Sequence, residues 1–208
     1  MLAVFLLYTV FVKTVDVQAI GPLESKIGFA SLNGAVFAII GSHEFFFNLS
    51  ELLGYLAIAI CAGFGFVGLV QLIKRKSLQK VDLQIIILGL FYIVVIALYI
   101  FFNVVAINYR PILEADGSLE SSFPSSHTML AVCVFASAAF YTKFLPEKLR
   151  HLRGILIKIF YALVGAVLIF RIIAGVHWLT DIIGGVILSL ALINALVTIV
   201  NKIVTVYE

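Results

Sequence analysis

The chain has 208 residues, of which 63% are hydrophobic and only 12% charged. A soluble domain of this length carries about a quarter charged residues, so the composition excludes a soluble enzyme and points to a lipid bilayer. A formal net charge of +3 is too small to argue for a nucleic-acid partner, and none is expected.

A spanning helix needs about 20 mostly apolar residues, and six apolar segments follow in chain order, over residues 2–20, 53–73, 83–102, 128–144, 155–170 and 181–200. The expected fold class is therefore all-α, a six-transmembrane-helix bundle forming one integral membrane domain over 1–208. Lys13 and Asp16 interrupt the first segment, which reads either as a short helix ending near the outer interface or as a span whose start lies upstream. No cleavable signal peptide is expected, because no basic region and no small-residue cleavage site precede Lys13. Between the first two spans, apolar residues recur at helical spacing among Gly, Ser and Asn. An amphipathic helix lying in the interface fits that pattern, with an ordinary loop as the alternative. Cys61 and Cys133 both fall inside apolar runs and read as buried thiols, not as a disulfide.

Basic residues orient the bundle. Lys74, Arg75, Lys76 and Lys80 follow the second span, and Lys143, Lys148, Arg150, Arg153 and Lys158 cluster around the loop between the fourth and fifth. The positive-inside rule puts both loops in the cytoplasm. Six spans then place both termini inside, and the loops after the third and fifth spans face outward. Those two loops carry the polar constellations.

In FRIIAGVHWLTD, Arg171, His177 and Asp181 stand at the edge of an apolar segment. Asp181 is four residues after His177, so a helix starting near His177 sets both on one face. A carboxylate there can bind one ring nitrogen and leave the other with a free lone pair, as a nucleophile or base requires. Arg171 can grip an anion through its fork. The bland alternative is an interfacial arginine with His177 and Trp178 in an aromatic belt. In FPSSHTML, Ser125, Ser126 and His127 precede the fourth span, where hydroxyls and a helix N-terminus suit an anion. A plain serine cap is the alternative there. Arg110, in Tyr109-Arg110-Pro111, brings a second guanidinium to the same face. Such a cluster at a membrane edge suits attack on a phosphorus surrounded by oxyanions. No Cys/His cluster has metal-ligand spacing.

Together these segments resemble the type-2 phosphatidic acid phosphatase (lipid phosphate phosphatase) superfamily, whose signature reads KxxxxxxRP, PSGH and SRxxxxxHxxxD. Here the three parts are NVVAINYRP, PSSH and FRIIAGVHWLTD. Asn103 stands where the family has Lys, Ser126 where it has Gly, and Phe170 where it has Ser. The resemblance implies a bacterial membrane enzyme that removes phosphate from a lipid at the outer face: from polyprenyl diphosphate, phosphatidylglycerol phosphate or phosphatidic acid. His177 would attack phosphorus and carry the phosphoryl group, with Asp181 fixing its tautomer and His127 protonating the leaving oxygen. Arg110, Arg171, Ser125 and Ser126, with help from Asn103, would hold the phosphoryl oxygens. No metal and no cofactor would be needed, since the arginines supply the charge. A neutral His177 and a protonated His127 imply a bell-shaped pH–rate profile. A phosphotransferase, a vanadate-type peroxidase site, and a lipid-binding or transport protein without turnover are the competing readings. The His177–Asp181 pair argues against the last, because anion binding alone needs no oriented nucleophile.

His43, His151 and the acidic residues Glu114, Asp116 and Glu120 read as solvated, Phe45–Phe47 as interfacial anchors or as lining for a lipid tail, and Gly184–Gly185 as a close-packing site.

Overall fold

The computed structural model describes residues 1–114 and 116–207, with side chains as far as 203. Of the expected 1–208 domain, Ala115 and Glu208 lie outside the described residues. The described residues form seven α-helices: α1 (Leu2–Thr14), α2 (Ala30–Ile40), α3 (Glu44–Arg75), α4 (Leu83–Val104), α5 (Ser126–Tyr141), α6 (Arg153–Ala174) and α7 (Leu179–Tyr207). Among the described residues there is no strand, only the isolated bridges Gln18–Ile27 and Tyr109–Ser121.

The last five helices, with the 3₁₀ turns that extend α5 and precede α6, are long and apolar enough to cross a membrane. The first expected span is not: α1 has 13 residues, about 20 Å of helix against a hydrocarbon core of about 30 Å. Asp16 ends it. Its backbone turns to φ 46°, its carbonyl accepts from Ala30 N–H at 2.9 Å, and its carboxylate accepts from Ser31 N–H at 2.7 Å. The acidic residue that appeared to interrupt a span instead closes one helix and caps the next. The second span also differs from expectation. It begins at Glu44, not at 53, so Phe45–Phe47 form its first turn and α2 alone occupies the preceding segment.

The core sits around α5, which packs against α3, α4, α6 and α7. Its small and hydroxylated side chains permit this: Ala131, Ala138, Ala139, Thr128 and Ser137 are all buried. Each buried hydroxyl is satisfied, Ser137 donating to the Val134 carbonyl at 3.0 Å beside Tyr92 Oη at 3.0 Å. Facing α5, α7 comes close at Gly184 and Gly185. A Cβ at Gly184 would lie 2.5 Å from the Phe123 ring, and one at Gly185 would lie 2.9 Å from the Ser125 carbonyl. By contrast, Tyr55, Ile58, Phe66, Leu69 and Ile73 of α3 are each more than half exposed, an apolar face suited to lipid. Both cysteines are free thiols, Cys133 buried and Cys61 partly so.

The N-terminal elements hold the start of α7. Asn33 of α2, fully buried, donates to Thr180 Oγ1 at 2.8 Å and accepts from Thr180 N–H at 3.3 Å. Tyr8 of α1 donates to the Thr180 carbonyl at 3.1 Å. A helix N-terminus has unpaired N–H groups, and this one is fixed from the far end of the sequence.

Candidate active site

The candidate site residues singled out in the sequence gather at one end of the bundle, where α4 and α6 finish and α3, α5 and α7 begin. The basic residues Lys74, Arg75 and Lys76 lie at the opposite end of α3.

His177 sits in the short connection between α6 and α7, not on the first turn of α7, which starts at Leu179. Gly175 makes that connection possible. It closes α6 in the left-handed region, at φ 66°, and a Cβ there would lie 1.9 Å from the Gly41 carbonyl oxygen. The chain at 42–43 binds the last α6 carbonyl, His43 N–H donating to Ala174 O at 3.1 Å. The His43 imidazole is exposed, as expected, and it is the backbone N–H of this residue that docks α3 against α6.

Behind His177 lies a hydroxyl relay. Ser122 Oγ is 3.1 Å from His177 Nδ1 and donates to Asp181 Oδ2 at 2.5 Å. With its own proton directed to the carboxylate, Ser122 accepts from Nδ1–H, and Nε2 is left with the lone pair. Asp181 is held in turn by Trp178 N–H at 2.9 Å and Asn108 Nδ2 at 3.3 Å. The carboxylate therefore sets the tautomer through Ser122 and not, as expected, by direct contact with the ring. Burial first, then the neighbouring Arg171 charge, holds the His177 ring well below the ordinary imidazole range.

Nε2 faces Arg171 Nη2 at 3.2 Å. Arg171 has no exposed side-chain surface. Its Nη1 donates to Ser50 Oγ at 2.9 Å and Glu51 Oε1 at 2.8 Å, Phe47 lies 5.7 Å below the guanidinium, and its Nε has no partner. Phe47 thus forms a floor for the arginine. Phe170, in the place of the family serine, packs on Phe46 at 5.7 Å and ties α6 to α3.

Arg110 approaches from the loop between α4 and α5. That loop folds back on itself, Arg110 N–H donating to the Glu120 carbonyl at 3.0 Å and Ser122 N–H to the Asn108 carbonyl at 2.9 Å. One fold-back thereby delivers Arg110, Asn108 and Ser122 together. Its guanidinium pairs with Glu114 at 2.6 Å and Glu120 at 2.9 Å, so two of the three acidic residues read as a solvated stretch, while still open to solvent, also clamp this arginine.

His127 Nε2 lies 3.2 Å from Glu51 Oε2, Tyr99 packs edge-on at 5.7 Å, and its buried Nδ1 has no partner. The two serines divide their duties. Ser125 Oγ accepts from Thr128 N–H and donates to Thr128 Oγ1, its N–H bonds the Asp181 carbonyl, and it is fully buried. In this arrangement it serves as the α5 cap and as a tie between α5 and α7. Ser126 Oγ donates to Asn103 Oδ1 at 3.1 Å, so Asn103 occupies the family lysine position as a hydrogen-bonded amide.

A cavity of about 370 Å³ is lined by Tyr99, Asn103, Arg110, Glu120, Ser121 and His127. An apolar groove of about 540 Å³ between α3 and α4 runs up to Glu51 and His127, past Tyr55, Ile58, Ile96 and Tyr99. Among the described residues, no group of three His, Cys, Asp or Glu side chains is placed to hold a metal ion. Sequence reasoning missed Ser50, Glu51, Asn108 and Ser122. Glu51 had a usable signal: after Glu44 it is the one charged residue of α3 before Lys74, and a carboxylate within a spanning helix marks function by default.

A fold of apolar helices with two histidines, two arginines and a buried aspartate at one end defines a membrane protein with a polar site set into its bundle. Residues 103–204, which carry all three motifs and make up just under half of the chain, match the sequence model of the PAP2 superfamily. Over 76 residues it is 37% identical to phosphatidylglycerophosphatase B of Bacillus subtilis (strain 168), a stretch covering 34% of this chain and 35% of that protein. The alignment thus spans about a third of the length of the curated relative. The fold matches the crystal structure of the first transmembrane PAP2 type phosphatidylglycerolphosphate phosphatase from Bacillus subtilis, with a TM-score of 0.64 and 21% identity over 97% of this chain and 94% of that one. The protein is an integral membrane protein.

Proposed function

We propose that the protein is a lipid phosphate phosphatase that hydrolyses a phosphomonoester or diphosphate headgroup at the outer membrane face through a phosphohistidine. Polyprenyl diphosphate, phosphatidylglycerol phosphate and phosphatidic acid are the substrate class, the second being what the Bacillus relative's name specifies. The observation that carries the reading is the relay from His177 Nδ1 through Ser122 to Asp181, with Nε2 turned to Arg171. Anion binding alone has no use for an oriented imidazole lone pair.

In this reaction the headgroup passes along the α3–α4 groove to Arg110 and Arg171, which bind the phosphoryl oxygens. His177 Nε2 attacks phosphorus, the bond to the leaving oxygen breaks, and His127 gives that oxygen its proton. Proton delivery of this kind contributes about 10² to 10⁴ in rate. Water then attacks the phosphohistidine, returns a proton to His127 and frees inorganic phosphate. Arg110 and Arg171 stabilise the charge on the equatorial oxygens, so the step needs no metal. Outward orientation is supported by the separation of the site from Lys74, Arg75 and Lys76 along α3, given the positive-inside rule; with five spans it implies a cytoplasmic C-terminus.

The test is phosphate release by detergent-purified protein from a panel of these lipids, with EDTA present, for wild type and His177→Ala. Release that survives EDTA and disappears in the variant is expected. No release from any lipid by folded wild type would return the protein to a binding or transport role.

A further inference from the structure

Glu51 lies outside all three motifs, and it stands on the two groups with the most to do. Oε1 accepts from Arg171 Nη1 at 2.8 Å and Oε2 lies 3.2 Å from His127 Nε2. One carboxylate thus bridges the guanidinium that would hold the phosphoryl oxygens and the imidazole that would protonate the leaving oxygen. Two oxygens with a negative charge between an arginine and a histidine imitate the edge of a phosphate group. Glu51 also lines the apolar groove beside His127, on the path of an arriving headgroup. Its side chain is 23% exposed while that of Arg171 is not exposed at all, so of the pair it is Glu51 that has room to move.

We propose that Glu51 is an internal placeholder for the phosphoryl group: it occupies Arg171 and His127 in the empty pocket, is displaced by the substrate, and returns to expel inorganic phosphate. The inference rests on the phosphate-pocket reading above. It makes Glu51 a positioning and affinity-setting residue, because every phosphate that binds must first break the two Glu51 contacts. The pocket of this chain carries Asn103 in place of the family lysine, so its cations are few, and a carboxylate competing for them weighs heavily on affinity. A carboxylate bridge also keeps the buried Arg171 charge paired while the pocket is empty.

The experiment is calorimetric titration of inorganic phosphate into detergent-purified wild type, Glu51→Gln, Glu51→Asp and Arg171→Ala, with thermal unfolding of each run alongside. Removing the competing charge should tighten phosphate binding about tenfold in Glu51→Gln, equivalent to about 1.4 kcal/mol. Glu51→Asp keeps the charge on a stem too short to make both contacts, and should bind about threefold tighter than wild type. A residue with a merely structural role would lose affinity when changed, never gain it. If Glu51→Gln does not fold, the aspartate variant decides alone. Loss of binding in Arg171→Ala, with no tightening in either Glu51 variant, overturns the placeholder and leaves the pocket intact. Wild-type binding retained by Arg171→Ala overturns the pocket reading and the placeholder with it.

Discussion

Arg171 and Arg110 bring the same side chain to one pocket from opposite settings. Arg171 rises from the last turn of α6, has no exposed surface, and is gripped by Ser50, Glu51, Phe47 and His177. Arg110 hangs from a folded-back loop, and its two carboxylates are more than a third open to solvent, at 36% and 49%. A buried charge must be paired and hydrogen-bonded to be tolerated, so the Arg171 geometry is dictated by the bundle. The Arg110 side chain is itself only 13% exposed, but carboxylates this open contribute little and are screened by salt, so its placement follows chiefly from the local fold-back. The floor of the pocket is therefore fixed before any ligand arrives, and its rim can adjust to one.

The most damaging change to the floor is not at a charged residue. Gly175→Ala forces a Cβ onto the Gly41 carbonyl at a left-handed φ. It should lower the melting temperature markedly and abolish activity, because His177 and the end of α6 cannot keep their positions. A variant that melts like wild type would mean that the α6–α7 connection is softer than the floor argument requires. Next comes Arg171→Lys, which keeps the charge but not the fork. With one donor point in place of several, kcat should fall by about 10² to 10³, in a protein that still folds.

Ser122→Ala cuts the relay between Asp181 and His177. A kcat loss of about 10² with little change in KM is expected, since the hydroxyl orients the nucleophile and does not touch the substrate. A loss under threefold would mean that Asp181 reaches the ring directly during turnover. The pH profile sharpens the same point. Because burial and Arg171 hold the His177 ring well below 6.5, it is neutral at neutral pH and gains a proton only as pH falls through that lowered value. The acid limb of kcat/KM due to this group should therefore lie below pH 6.5, and a limb centred higher would belong to another residue.

The two settings also explain what could be read in the chain. Arg171, His177 and Asp181 are close in sequence, and so are Ser125, Ser126 and His127, so spacing alone sufficed to find them. Their convergence followed from helix counting even though α1 proved too short for a full span, because the hydrophobic pattern of α3 to α7 preserved the alternation of ends. The relay was not legible. Ser122 stands fifty-five residues from His177 and precedes a cluster of other serines, and nothing in sequence says which hydroxyl meets the ring. Glu51 was hidden differently: an apolar window that begins at Leu53 cuts off the nine residues by which α3 extends toward its N-terminus. Asp16 misled for a related reason, since a charge near the end of an apolar run looks the same whether it interrupts a helix or terminates it.

The smallest effect should come from the rim, and it tests the contrast most directly. Arg110→Lys keeps a cation on a loop that can shift to reposition it, so kcat/KM should fall no more than about tenfold, against the far larger loss for Arg171→Lys. Glu114→Gln with Glu120→Gln frees Arg110 from both carboxylates. Anionic substrate should then bind a few-fold better, as surface pairs of this kind are worth about 0.2 to 1 kcal/mol each. Because the competing pairs are solvent-exposed, the advantage over wild type should shrink when salt rises from about 0.05 to 0.5 M, where the Debye length drops well below 10 Å. An advantage indifferent to salt would place Arg110 and its carboxylates in a dry environment, and the pocket would then have two floors and no rim.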